Sequence, residues 1–274
     1  MNGIWKKINK IYTRYPGGSD WGWIESVWTS CFKYEILKML KDRKVIDSIF
    51  IDLEDIHKHV LDKSLMEYDF DSGVNGITRK LYDSDEDLLD VYKLFLKDLY
   101  RILGFDFYFQ SIPTIRVHCP NQKNQNHYPR YHNDCQYGHP PEELNIWFSL
   151  TNNINSGFCV IDFENSKKWL SEYDYDWDKF THDAINSKEF NKKGNELSME
   201  VPSKKDSIFI FNSLCVHTNQ PRMEDSRVSI DIRINPVEDF KEGYVGDGRM
   251  KAEFKPGGKF GYHKKSIKEL ISVL

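Results

Sequence analysis

A series of short β-like runs follows Gly104 and dominates the second half of the chain. Clusters of Pro, Gly and Asn separate the runs from one another. The runs read DFYFQS, TIRVHC, NIWFSLT, GFCVIDF, DSIFIFNS and SRVSIDIRIN. Many short strands joined by such breakers are typical of sandwich and barrel proteins. We therefore predict that this half of the chain is mainly β.

Two amphipathic helices are predicted before these strands. From Trp23 to about Lys41 the apolar residues recur at helical spacing. A second helix begins after Ser84, where three acidic residues would lie at the positive end of the helix dipole, and it ends at Gly104. Residues 1–104 are thus predicted to be largely helical and to pack on the β core.

The chain has 274 residues, a length that β barrels with added helices reach as one unit. We expect a single domain over 1–274, with its β core at 105–236 and a C-terminal extension at 237–274. Residues from about 165 to 200 interrupt the strand pattern with an acidic, aromatic and then lysine-rich stretch. This stretch is predicted to be an insertion carrying a helix, either a lid or a surface element without a chemical role.

The charge balance and the cysteines limit the function classes. A formal net charge of −4 gives no basic field that would attract a nucleic acid. No apolar run approaches the length of a membrane span or of a signal peptide. Five scattered cysteines without a C-x-x-C pair suit a reducing compartment. We expect a cytoplasmic protein with neither a nucleic-acid nor a membrane partner; the oligomeric state stays open.

A candidate metal site lies in the segment YHNDC. His132 and Asp134 are two residues apart, so on an extended backbone both side chains would project from one face. An isolated H-x-D is a weak signal and needs a third ligand. His217 follows an almost wholly apolar strand and is the candidate. Two histidines and one carboxylate form the facial ligand set of non-haem Fe(II) oxygenases.

A strand with one polar face follows the third ligand. Apolar and polar residues alternate over 227–235, which places Arg227, Ser229, Asp231, Arg233 and Asn235 on the same face. Such a face is solvated in an ordinary sheet strand. Here Arg227 and Ser229 could instead bind the carboxylate of a small molecule. The Arg would form a bidentate charged pair with it, and the Ser would donate one further hydrogen bond.

The ordered set His132-x-Asp134, His217 and Arg227-x-Ser229 resembles the Fe(II)/2-oxoglutarate-dependent oxygenase superfamily. The stretches YGHPPEELNIWFSLT and HTNQPRMEDSRVSIDIRI are similar to phytanoyl-CoA-hydroxylase-like enzymes and, more narrowly, to oxygenase-like proteins of streptomycin biosynthesis. The resemblance covers about 113–236. It implies a double-stranded β-helix, a jelly roll or cupin-like barrel, as the fold of the core.

The resemblance also implies roles for individual residues. His132, Asp134 and His217 would bind Fe(II), and Arg227 with Ser229 would bind the distal carboxylate of 2-oxoglutarate. Arg233 is a second candidate for that carboxylate. The remaining candidates lie on two strands that would line the rest of the cavity, namely Arg116, His118, Asn145, Trp147 and Ser149. Of these, Arg116 and Asn145 are also expected to bind the cosubstrate. His127 and His139 flank the motif but lack the two-residue spacing to a carboxylate.

The expected activity is that of a dioxygenase that uses Fe(II), 2-oxoglutarate and dioxygen to hydroxylate a small polar molecule in a biosynthetic pathway. A sugar, an aminocyclitol or an amino-acid-like compound would fit. Desaturation, epimerisation and ring formation stay open. Two other classes also stay open: a metal-dependent isomerase or hydrolase, which would not need Arg227 and Ser229, and a binding module without turnover.

Overall fold

The computed structural model describes residues 22–25, 28–69, 74–120, 131–205, 207–219, 224–240 and 261–272. In chain order the strands are β1 (Gly22–Glu25), β2 (Tyr68–Asp69), β3 (Val74–Asn75), β4 (Phe107–Phe109), β5 (Thr114–His118), β6 (Leu144–Ser149), β7 (Asn153–Val160), β8 (Met199–Ser203), β9 (Ser207–Asn212), β10 (His217–Asn219) and β11 (Arg227–Pro236). The helices are α1 (Thr29–Asp42), α2 (Ile56–His59), α3 (Gly76–Lys80), α4 (Glu86–Leu103), α5 (Phe163–Ser171), α6 (Trp177–Asn186), α7 (Lys188–Leu197) and α8 (Ile267–Ile271).

The strands form antiparallel sheets. The main sheet has the order β1-β9-β6-β11-β4, and β5 also pairs with β11. A second sheet has the order β10-β7-β8, and β2 pairs with β3. The long strand β11 therefore lies between β6 on one side and β4 and β5 on the other. Its Ser229 is opposite both Arg116 and Ser149, and its Arg233 is opposite Asn145.

The two faces of the main sheet pack against different layers. On the outer face, Phe148 contacts Phe32 of α1 and Phe95 of α4, with ring centroids 5.5 and 5.3 Å apart. On the inner face, Trp147 and Phe209 pack against Phe158 of the second sheet, at 4.8 and 5.4 Å. Side chains alternate along a strand, so the polar residues of β11 face the space between the two sheets.

The prediction of β sheets with flanking helices is confirmed, and the sheets are antiparallel. The chain as a whole is mixed α/β, because α5, α6 and α7 lie between β7 and β8. These three helices have an aromatic core of their own, in which Trp169 lies 5.3 Å from Phe180 and 4.5 Å from Phe190. They occupy the region where the sequence predicts an insertion.

The two predicted N-terminal helices have different outcomes. The helix predicted from Trp23 begins only at Thr29, because Gly22–Glu25 pairs with β9 at the edge of the main sheet. The helix that ends at Gly104 is confirmed as α4, and Gly104 adopts the left-handed conformation with a φ of 69°. In the described part of the chain, no helix has the length and apolar character that crossing a bilayer requires.

Candidate metal centre

His132, Asp134 and His217 come together in the structure. Their ligand atoms all lie within 4.8 Å of one another, and His217 Nε2 is 3.8 Å from Asp134 Oδ1. The two histidines are joined by paired backbone hydrogen bonds: the His132 N–H donates to the His217 carbonyl at 3.0 Å and the reverse bond is 2.7 Å. This short antiparallel bridge holds two distant segments of the chain in register. The triad predicted from the sequence is therefore present as a candidate metal site.

The backbone around Asp134 differs from the extended segment expected from the sequence. Only Asn133 between the two ligands is extended, with φ −123° and ψ 158°. Asp134 itself begins a 3-10 helix that runs to Tyr137, and a capping box between Asn133 and Gln136 closes its first turn. The β-bridge at His132 and the extended Asn133 place His132 and Asp134 with their ligand atoms close together, while the helical turn fixes the Asp134 backbone.

The ring of His217 is oriented by a neighbouring carbonyl. Its Nδ1 lies 2.9 Å from the Cys215 carbonyl oxygen, which only accepts hydrogen bonds. The Nδ1 must therefore carry the hydrogen, which leaves the Nε2 lone pair directed towards Asp134. This is the arrangement in which a neutral histidine binds a metal. A set of two imidazole nitrogens and one carboxylate oxygen suits Fe(II), and so the residues present fit the implied metal.

The two oxygens of Asp134 have different surroundings. Oδ2 accepts a hydrogen bond from Asn145 Nδ2 at 2.7 Å and lies 3.5 Å from a guanidinium nitrogen of Arg233. Oδ1 faces His217. Burial raises the pKa of Asp134, but Arg233 and the nearby imidazoles outweigh burial and hold the pKa well below its usual range. The carboxylate is thus ionised and presents Oδ1 as the ligand atom.

The triad lies on the wall of a cavity of about 420 Å³ between the two sheets. The lining includes the apolar aromatic residues Trp147, Phe158 and Phe211, of which Phe158 and Phe211 pack beside His217. The ring centroids of Phe211 and His217 are 5.2 Å apart. The polar part of the lining includes all five residues that the sequence predicts for cosubstrate binding, namely Arg116, Asn145, Arg227, Ser229 and Arg233.

Arg227 and Ser229 are fully buried at one side of this cavity. The Arg227 guanidinium donates to the Gly157 carbonyl and, at 3.1 Å, to Asn219 Oδ1, and it lies 3.2 Å from Nδ1 of His118. Burial lowers the pKa of Arg227 to about 10. The hydroxyl of Ser229 is two residues along the same face of β11. The pair therefore presents a desolvated cation and a hydroxyl to the cavity.

The other predicted polar residues already have charged or polar partners in the protein. Arg116 Nε donates to Asp231 Oδ2 at 2.9 Å. Arg233 lies 3.5 Å from the carboxylates of both Asp134 and Glu143. Ser149 donates to the Thr151 carbonyl at 2.9 Å.

Three buried residues beside the triad are not predicted from the sequence. Glu143 is completely buried, lies 2.7 Å from His139 and accepts a hydrogen bond from the Tyr262 hydroxyl. His139 thus belongs to the cavity wall without being one of the three ligands. Nothing in the local pattern of PPEELN distinguishes Glu143 from a surface acid, and Tyr262 comes from the C-terminal extension. His127 lies outside the described residues.

One curated relative matches part of the chain. It is the streptomycin biosynthesis protein StrG of Streptomyces griseus, which is 34% identical over 89 residues. The chain is distantly homologous to StrG. The match spans 31% of this chain and 42% of StrG, so the chain covers less than half of that relative. No protein-family model matches the chain. The narrow resemblance predicted from the sequence is confirmed over this segment.

Several solved structures align with most of the chain at low sequence identity. The α-ketoglutarate-dependent epimerase SnoN of nogalamycin biosynthesis shares 11% identity, with a TM-score of 0.45 over 94% of this chain and 91% of SnoN. HygX of Streptomyces hygroscopicus, solved with nickel and 2-oxoglutarate, shares 10% identity, with a TM-score of 0.42 over 98% of both chains. EctD of S. alaskensis shares 13%, with a TM-score of 0.43 over 88% of this chain and 82% of EctD. With identities of 10–13% and TM-scores of 0.42–0.45, these structures do not show what this chain does.

Proposed function

We propose that this protein is a non-haem Fe(II)/2-oxoglutarate-dependent oxygenase that hydroxylates a small polar molecule, and that its two facing sheets are the halves of a double-stranded β-helix. One observation carries the proposal: three facial ligands share a buried cavity with a desolvated Arg and Ser. Neither the ligand set nor the buried Arg is specific to this chemistry by itself. Together they supply a metal ligand set and a binding point for a dicarboxylate.

His132, Asp134 and His217 would hold the iron through two nitrogens and one oxygen. Three protein ligands would leave room on the metal for a cosubstrate and dioxygen. When bound, the iron would activate dioxygen, which is the four-electron oxidant, while 2-oxoglutarate, oxidised to succinate and CO2, and the substrate would each supply two electrons. The protein contributes the orientation of the ligands, through the Cys215 carbonyl and the Asn145 amide.

Arg227 and Ser229 would bind the distal carboxylate of 2-oxoglutarate. Arg227 is held in place by the Gly157 carbonyl and Asn219, so little of its side-chain freedom is lost on binding. Its lowered pKa reflects the cost of burying the charge. An anion placed beside the guanidinium would offset that desolvation, which favours a charge-assisted hydrogen bond. Asn219 follows His217 by two residues, so β10 carries both a candidate metal ligand and a residue that holds the Arg227 side chain of β11.

The aromatic side chains around His217 would exclude water from the reacting centre. Phe158 and Phe211 lie with ring centroids 6.4 and 5.2 Å from the imidazole. Much of the remaining lining is polar and includes Gln110, Thr114 and Asp231. Such a wall suits a substrate with hydroxyl or amino groups. The homology to a streptomycin biosynthesis protein supports a sugar-like or aminocyclitol substrate in a biosynthetic pathway, and an amino-acid-like one also fits.

The test is the affinity for 2-oxoglutarate, measured by anaerobic calorimetry with Fe(II) present. Arg227→Ala removes one partner of a buried charged hydrogen bond, a loss of about 2 kcal/mol or more, or about 30-fold in Kd. Arg101→Ala is the matched control, because Arg101 is exposed and pairs with Asp98 at 2.9 Å on α4. We expect the control to bind as the wild type does.

The outcomes separate the candidate functions. Equal affinities in wild type and Arg227→Ala would remove Arg227 as the clamp. Binding of the metal without any binding of 2-oxoglutarate would favour the metal-dependent isomerase or hydrolase. Binding of both without succinate formation, across a panel of polyols and amino acids, would favour a binding module.

A further inference from the structure

A chain of buried contacts runs from Asp134 to the C-terminal segment of the protein. Arg233 lies 3.5 Å from Asp134 Oδ2 and 3.5 Å from Glu143 Oε1. Glu143 Oε2 accepts a hydrogen bond from the hydroxyl of Tyr262, and His139 Nδ1 lies 2.7 Å from Oε1. The carboxyl group of Glu143 is therefore contacted on both oxygens, and the guanidinium of Arg233 lies between two carboxylates.

The direction of these contacts bears on how Asp134 can bind a metal. Asn145 and Arg233 both approach Oδ2, whereas Oδ1 faces His217. A carboxylate whose second oxygen is held in this way binds a metal through one oxygen. Binding through both oxygens would use one of the three positions that the cosubstrate and dioxygen need. Arg233 thus restrains the coordination mode.

Arg233 in turn needs Glu143. A half-buried guanidinium whose only charged partner was Asp134 would compete with the metal for that carboxylate. Glu143 balances that charge from the other side. Glu143 is itself completely buried, and a buried carboxylate is stable only when it is hydrogen-bonded. Tyr262 supplies a hydrogen bond, because its hydroxyl donates to Oε2.

The segment that carries Tyr262 is fixed to the main sheet. The Ser111 N–H donates to the Gly261 carbonyl at 2.9 Å, and the His263 N–H donates to the Phe109 carbonyl at 2.7 Å. These bonds extend the edge of the sheet beyond β4 and bring Tyr262 opposite Gln110. Tyr262 is buried as a result. The C-terminal segment therefore reaches the cavity through regular backbone pairing.

We propose that Arg233, Glu143 and Tyr262 are positioning residues that hold Asp134 ready to bind the metal through Oδ1 alone, so that the C-terminal segment completes the metal site. The inference rests on the proposed iron centre. It gives Arg233 a role other than that of a second binding point for 2-oxoglutarate. None of the three positioning residues is itself a metal ligand.

The test is the affinity for Fe(II) alone, measured anaerobically by competition with a coloured chelator and without 2-oxoglutarate. Tyr262→Phe deletes one hydroxyl, and Glu143→Gln removes the charge at nearly constant shape. Loss of a direct partner of a metal ligand typically weakens metal binding about 10- to 100-fold. Glu143 and Tyr262 act on Asp134 through Arg233, so we expect a loss of about 10-fold for Glu143→Gln and a smaller, measurable loss for Tyr262→Phe. Tyr173→Phe is the matched control, because its hydroxyl donates to Asp183 at 3.0 Å on α6. We expect its Fe(II) affinity to be unchanged.

The melting temperature of each variant separates positioning from a general structural role. A lower Tm with unchanged Fe(II) affinity in Tyr262→Phe overturns the inference. If Glu143→Gln does not fold, Tyr262→Phe alone tests the inference, because removing a neutral hydroxyl changes no charge in the cavity. A wild-type protein that binds no Fe(II) overturns the proposed metal centre as well. Normal binding by the wild type and by both variants overturns only the positioning role.

Discussion

The two faces of the main sheet use the same strands for opposite purposes. On the outer face, Phe148, Ile146 and Ile232 are buried against α1 and α4, and the contacts are apolar. On the inner face, the alternate residues of β11 include Arg227, which is buried among hydrogen-bonding partners, and Arg233, which is half-buried between two carboxylates. Apolar contacts stabilise the fold wherever they fit, whereas buried charges need specific partners. Stability and chemistry are thus divided between the two faces of one sheet.

The largest effect on stability should come from the outer face. Phe148→Ala removes a ring that contacts both Phe32 and Phe95, and the cavity left behind should cost about 3–5 kcal/mol of unfolding free energy. Chemical denaturation measures this loss. In the fraction that stays folded we expect the Fe(II) affinity of the wild type. A large drop in Fe(II) affinity in Phe148→Ala protein that is fully folded would contradict the division of stability and chemistry between the two faces.

A smaller loss of unfolding free energy is expected where Gly194 of α7 packs against Tyr131. A Cβ on Gly194 would lie 2.4 Å from the ring of Tyr131, the residue before His132. Gly194→Ala must therefore displace the ring, and overpacking of this kind typically costs about 1–3 kcal/mol. Because the ring is bonded to the chain that carries His132, we expect weaker Fe(II) binding as well as a lower Tm.

The control for this variant is Gly104→Ala at the end of α4. Gly104 has a φ of +69° and no neighbouring atom within 4 Å of an added Cβ, so the substitution strains only the backbone. A loss of about 1 kcal/mol with unchanged Fe(II) affinity is expected. Equal effects of the two variants on metal binding would show that the helices do not support His132.

Two of the candidate metal ligands and the polar face of β11 could be predicted because their signals are local. His132 and Asp134 lie in one short segment, and Arg227 and Ser229 are two residues apart on one strand, so each pair shares a face. Alternation alone could not show that the polar face of β11 points towards the cavity. A period of two groups residues on one face without showing whether that face is inside or outside.

The parts that could not be predicted depend on contacts between distant segments. The Glu143 carboxylate lies at the centre of the network only because Tyr262 arrives by pairing beyond β4. Similarly, Trp23 lies in a strand because β9 offers an edge for pairing, which overrides the local helical pattern. In both cases tertiary structure decides what the local sequence leaves open.

The most direct test of the central claim is an anaerobic titration of the metal-free protein with Fe(II) and then 2-oxoglutarate, followed by visible absorption. We predict a weak charge-transfer band from the chelated ferrous complex, and its loss in His217→Ala, because that variant lacks one of the three ligands. Retention of the band in His217→Ala, or its absence from a wild-type protein that binds both Fe(II) and 2-oxoglutarate, would contradict the assignment of this site.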